Sequence, residues 1–176
     1  MTNLTTHFTL TEAAKSQAAE RLGIDNQPGM AIIAKLVRTA NHILEPVRAN
    51  YGKSFSPSSW YRCLELNRRL GSKDTSRHVK GEAVDFEVPG VDNLELAHWI
   101  NDNLDFDQLI LEFYDPRYPS SGWVHCSYVS QDENRGEVLT IQSKGILNAG
   151  LPKLFANKEQ NYPNNLKIHA KTVLSN

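Results

Sequence analysis

The chain of 176 residues carries 19 Lys and Arg against 20 Asp and Glu, a formal net charge of −1. That balance excludes a nucleic-acid binder working through a broad basic surface, and no stretch is long and apolar enough to span a bilayer. With 40% hydrophobic residues the chain can build a real core, and its length suits one domain.

The opening Met1 to His7 has neither a basic start nor an apolar run, so a soluble product made in the cytoplasm without a secretory signal is expected. Leu10 to Leu22 places apolar residues at helical intervals, with Thr9 or Thr11 as cap and Gly23 as stop. Asp25 to Gly29 is punctuation. From Met30 to Tyr51, Ile33, Leu36, Val37, Ala40, Ile43, Leu44 and Val47 recur every three or four residues, predicting a long helix. Pro46 bends or shortens it, and Gly52 ends it.

Beyond Gly52 the period changes. Phe55 to Tyr61 is predicted as a strand broken by Pro57, and Leu64 to Leu70 as a short helix closed by Gly71. Ala83 to Val88 reads as a strand and Leu94 to Asn103 as a helix. Gln108 to Tyr114 and Trp123 to Val129 read as paired strands, with one more over Gly136 to Gln142. Helices first and strands later predict an α+β domain, its N-terminal helices packed on a small, mainly antiparallel sheet. The domain is expected to fill residues 1–150. Residues 151–176, rich in Asn and Lys, form a C-terminal extension that is extended or partly disordered.

Cys63 and Cys126 are far apart and form no Cys-x-x-Cys pair, so both read as small buried hydrophobes. The richest stretch is Ser76-Arg77-His78-Val79-Lys80-Gly81-Glu82-Ala83-Val84-Asp85-Phe86. Strand alternation puts Ala83, Asp85 and Glu87 on one face and apolar Val84, Phe86 and Val88 on the other. By the same parity Gln108, Ile110 and Glu112 share a face, opposite Leu109, Leu111 and Phe113. Trp123, His125 and Ser127 alternate with Val124, Cys126 and Tyr128. If these strands are neighbours, Asp85, Glu112 and His125 converge. Two histidines, one carboxylate and an open position suit a catalytic zinc, with a second carboxylate as general base. His7, His42, His98 and His169 lack metal-ligand spacing and read as structural.

The pattern Ser76-x-His78-x-x-Gly81-x-Ala83-x-Asp85, followed by Trp123-x-His125, resembles the D-alanyl-D-alanine carboxypeptidase-like metallopeptidases. That family includes vancomycin-resistance dipeptidases and phage endolysins, and is related in fold to the hedgehog signalling domain. Ser59 to Asn67 is similar to its Ser-Gly-Tyr-Arg-Ser-x-x-x-Asn segment, with Trp60 in place of the usual glycine, a change expected to reshape the groove rim. His7 to Glu12 resembles its cell-wall members, so the likeness covers roughly residues 7–130.

The resemblance implies His78, Asp85 and His125 as zinc ligands. It implies Arg62 as the group steadying the substrate carbonyl or oxyanion, and Ser76 as support for the His78 loop at the substrate side. Tyr61 and Trp123 are expected to line the substrate groove. Many relatives carry the catalytic Glu three residues before the last histidine, where this chain has Gly122. The base then comes from elsewhere, Glu112 by strand parity or Asp115 as the alternative.

The function implied is a zinc peptidase acting on bacterial peptidoglycan, a monomer that neither inserts into membranes nor binds nucleic acid, in the setting of a phage or prophage endolysin. Cleavage at D-Ala-D-Ala, at L-Ala-D-Glu or in a cross-bridge, as carboxypeptidase or endopeptidase, all fit. A zinc-stabilised wall-binding module without catalysis, or a virion structural component, is the alternative from another class.

Overall fold

The computed structural model describes residues 2–118, 120–142 and 145–153. The chain begins with α1 (Leu10–Ala14) and α2 (Gln17–Leu22). Thr9 closes a capping box with Glu12, and Gly23 ends α2 in the left-handed conformation. The single helix expected over Leu10 to Leu22 is broken at Lys15 and Ser16. Ser16 caps α2 through its own hydroxyl, while the carbonyls of Ala13 and Ala14 accept from the Tyr61 backbone N–H and the Asn26 amide. Those tertiary hydrogen bonds replace the helical ones that Lys15 and Ser16 would have allowed.

The helix expected over Met30 to Tyr51 forms as α3 (Met30–Thr39), a π-helical turn (Ala40–Leu44) and α4 (Glu45–Tyr51). Proline lacks the N–H and crowds the carbonyl four residues back, so the helix widens just ahead of Pro46 instead of stopping. Gly52, in the left-handed region, ends it as expected. α5 (Leu64–Arg69) and α6 (Asn93–Asn103) complete the helices among the described residues.

Among the described residues five strands form one sheet in the order β1-β3-β2-β4-β5: β1 (Ala83–Phe86), β2 (Gln108–Tyr114), β3 (Trp123–Ser127), β4 (Glu137–Gln142) and β5 (Leu147–Ala149). All pairs are antiparallel except β2 with β4. This is the α+β fold predicted, with β5 an element the periodicity did not reveal. The strand expected over Phe55 to Tyr61 is absent. Pro57 cannot donate, and pairing is confined to a bridge at Ser59 and Asp85.

Leu36, Ile43, Leu44 and Val47 of the long helix pack with Val84, Phe86, Leu109, Leu111 and Val124 of the sheet. Trp60 lies in this core, 1% exposed, its ring edge-on to Phe8 at 6.3 Å. It therefore fills the interior and does not shape a groove rim, correcting the expectation drawn from its replacement of glycine. Cys126 is buried as parity predicted, and burial pushes its thiol well above the usual range. Cys63 is only partly buried and its sulfur caps α5 at Leu66 N–H. Among the described residues no helix is long and apolar enough to cross a membrane.

Of the segment expected to extend from residue 151, residues 154–176 lie outside the described residues. Before them, Leu151 packs against the core and the Pro152 carbonyl accepts from His98 Nε2 at 2.7 Å. The other histidines expected to be structural make structural contacts where described. His42 stacks on Tyr128 at 4.0 Å and His7 pairs with Glu45, while His169 is outside the described residues.

Candidate metal centre and active site

Register decides what parity left open. Asp85 of β1 lies opposite His125 of β3, and His125 lies opposite Ile110 of β2. Glu112 pairs with Trp123, one step along the same face, and its Oε1 is 4.0 Å from His125 Nδ1. The loop before β1 brings His78 over this face. Gly81 makes its tight turn at φ 71°, against Ile32, where a Cβ would lie 2.9 Å from the Ile32 methyl.

The three side chains meet closely and are buried. Asp85 Oδ1 is 2.7 Å from His125 Nδ1 and 3.2 Å from His78 Nε2, and the two imidazole nitrogens are 3.3 Å apart. One ligand atom from each of the three residues lies within 4.8 Å of the other two. His78 Nδ1 donates to the Trp60 carbonyl at 2.7 Å, which fixes the tautomer and turns the Nε2 lone pair toward Asp85 and His125. Two histidine nitrogens and a carboxylate oxygen, oriented from behind, fit a divalent cation of the kind bound by imidazole and carboxylate.

Electrostatics follow from burial and proximity. Burial lowers the His78 pKa against the pull of Asp85. Burial opposes charge on His125 too, but the hydrogen bond and charge of Asp85, with Glu112 beyond, outweigh it and raise its pKa. Burial would raise Asp85, yet the two histidines hold its carboxyl far below the usual range. Glu112 is shifted up, mainly by burial and then by the Asp85 charge.

Arg62 donates from Nη2 to Asp85 Oδ2 at 2.8 Å and from Nε to Ser59 Oγ at 2.9 Å. Ser76 Oγ accepts from the His78 backbone N–H at 3.3 Å. A cleft of about 490 Å³, lined by Lys15, Ser58, Ser59, Tyr61, Arg62 and Leu70 among others, adjoins the Arg62 side. Trp123 stands at the Glu112 side. Asp115 is taken up by its own neighbour Arg117. Arg117 grips both of its oxygens, at 3.0 and 2.6 Å, and holds its pKa down at about 2.

The sheet explains why Gly122 carries no glutamate. Its φ is 69°, and a Cβ there would fall 1.8 Å from the Glu112 carbonyl oxygen. Gly122→Ala is therefore expected to destabilise the fold by about 2–4 kcal/mol in urea unfolding, through collision and left-handed strain together. A variant as stable as wild type would contradict this packing.

Several supporting residues carried no signal in the sequence reading. Asn26, placed there in a turn, is buried. Its amide donates to the carbonyls of Ala14 and Tyr61, and its oxygen accepts from Cys63 N–H, so it holds the segment bearing Arg62. Arg77 bridges buried Glu82 (2.9 Å) and Asp107 (3.2 Å); Lys35 joins Glu82, and Arg135 joins Asp107. These partners lie up to dozens of residues apart, and nothing in local periodicity marks them.

Asp107 links this network to pH. Burial alone would raise its pKa, but the Arg135 hydrogen bond, the Arg77 and Arg135 charges and Ser127 lower it. A depressed folded-state pKa stabilises above the unfolded value of about 3.9 and ceases to do so as pH falls through the folded value. Asp107→Asn is expected to cost about 1–3 kcal/mol at pH 7 in urea unfolding, and the gap from wild type should close below about pH 4. A gap independent of pH would show that the Asp107 charge contributes nothing.

The fold and the site define an α+β domain with a buried His-Asp-His group able to hold a metal ion. The chain belongs to the peptidase M15 family, which matches residues 6–127 and so spans the whole site from the N-terminal cap to β3. No curated protein matches the chain.

Proposed function

We propose that this peptidase uses zinc to hydrolyse peptide bonds in the stem peptides of bacterial peptidoglycan, as in cell-wall lysis by an endolysin. The observation that carries the reading is the meeting of His78, Asp85 and His125 with Glu112 beside them on one face of the sheet. Within this reading His78 Nε2, His125 Nδ1 and Asp85 Oδ1 hold the zinc. When bound, the metal supplies a Lewis acid that polarises a carbonyl and acidifies water.

Glu112 is the general base. Its carboxylate takes the proton of the attacking water and passes it to the leaving amine. Desolvation, which raises its pKa, suits a group that must both accept and release a proton near neutral pH. Arg62 uses one Nη2 proton on Asp85 and Nε on Ser59, and keeps further N–H groups for the substrate carbonyl as negative charge develops on its oxygen. Ser76 steadies the His78 loop at the substrate side. Tyr61 in the Arg62 cleft and Trp123 beside Glu112 flank the bound peptide at either end.

The test is peptide release from purified peptidoglycan by zinc-loaded protein, followed by mass spectrometry. Fragments with new amino and carboxyl termini are expected, and their masses identify the bond. Walls of several chemotypes left intact by zinc-loaded protein would overturn the reading.

A further inference from the structure

Parity along β2 assigns Phe113 to the core with Leu109 and Leu111, yet Phe113 is 41% exposed. The pairing of β2 with β4 shifts register between Glu112 and Tyr114, and Phe113 adopts φ 54°. It is the one non-glycine residue with positive φ among the described residues. Tyr114 takes the core position instead, 4% exposed. A bulky aromatic in the left-handed region is unfavourable, and glycine or asparagine would sit there more easily. Stability therefore does not account for this side chain at this place, and such outliers gather at functional sites.

The Phe113 ring lies 5.1 Å from that of Trp123, tilted by 39°. Trp123 is the cross-strand partner of Glu112 and shares the parity of His125. Consecutive Cα atoms are about 3.8 Å apart, so this aromatic wall begins one residue from the carboxylate beside His125. Among the described residues that follow in the chain, Arg117 is paired with Asp115. The wall itself thus presents carbon surface beside the single carboxylate of Glu112.

We propose that Phe113 is a specificity-determining residue: with Trp123 it receives an uncharged, C–H-rich substrate residue adjoining the scissile bond. This rests on the peptidase reading above and names the kind of residue that the Glu112 side of the site accepts.

The test compares wild type, Phe113→Gly and Phe113→Asn on three synthetic stem peptides carrying alanine, leucine or glutamate beside the cleaved bond. Wild type is expected to prefer the uncharged peptides. Both variants should raise KM for alanine and leucine peptides by about tenfold, with kcat little changed, and lose the discrimination against glutamate. Their melting temperatures should equal or exceed that of wild type, because the strain is relieved. A lowered melting temperature, or an equal rise in KM for all three peptides, overturns the proposal. If wild type cleaves none of them, calorimetric binding of the leucine peptide separates the two ideas. Binding that depends on Phe113 keeps the wall and removes the peptidase, and no binding removes both.

Discussion

His125→Ala is expected to abolish peptide release from peptidoglycan and to abolish the zinc-induced rise in melting temperature. His125 touches every part of the cluster: Asp85 Oδ1 at 2.7 Å, His78 Nε2 at 3.3 Å and Glu112 at 4.0 Å. In the proposed ligand set, removing His125 would leave two ligands, too few to hold a catalytic zinc firmly. Several kcal/mol of lost transition-state stabilisation correspond to a rate loss of about a thousandfold or more. Zinc at about a hundred times its Kd should stabilise wild type by about 2.7 kcal/mol and the variant hardly at all. The thermal measurement is independent of turnover, so it separates a lost ligand from a lost reaction. A variant that still takes up zinc as wild type does would remove His125 from the ligand set.

Glu112→Gln should behave differently. The amide keeps the size of the side chain and its place on the strand, but cannot take a proton from water. kcat is expected to fall by about 10²–10⁴-fold, the usual contribution of a positioned base, while zinc uptake and folding stay intact. Asp115→Asn is the matched control. Asp115 is held by Arg117, and its loss should leave kcat close to wild type. If Asp115→Asn is the inactive one, the base assignment is reversed.

The order of the elements and much of the site were legible in the residues alone. His78 and Asp85 sit seven residues apart in a run with Gly81 at its turn, a spacing that lets a tight loop fold one back over the other. Period-two alternation correctly turned Asp85, Glu112 and His125 away from Leu109, Leu111, Val124 and Cys126, because a strand has only two faces. Gly23 and Gly52 marked helix ends because left-handed C-caps favour glycine.

Other features depended on partners distant in sequence. The break at Lys15 and Ser16 forms because Tyr61 and Asn26 claim the Ala13 and Ala14 carbonyls. Trp60 turns inward because Phe8 and the core give its ring a place. Strand parity favoured Glu112 over Asp115 but could not say how close either carboxylate comes to His125. The β2–β3 register brings Glu112 Oε1 to 4.0 Å from His125 Nδ1, and Arg117 pairs with Asp115. The exposure of Phe113 likewise needs the shift against β4 and the approach of Gly122 to the Glu112 carbonyl. The sequence by itself determined which residues share a face and where the chain can turn, since these follow from backbone sterics within a few residues. Only the tertiary structure decided which faces meet and at what register, since that rests on hydrogen bonds and packing between segments the chain must first bring together.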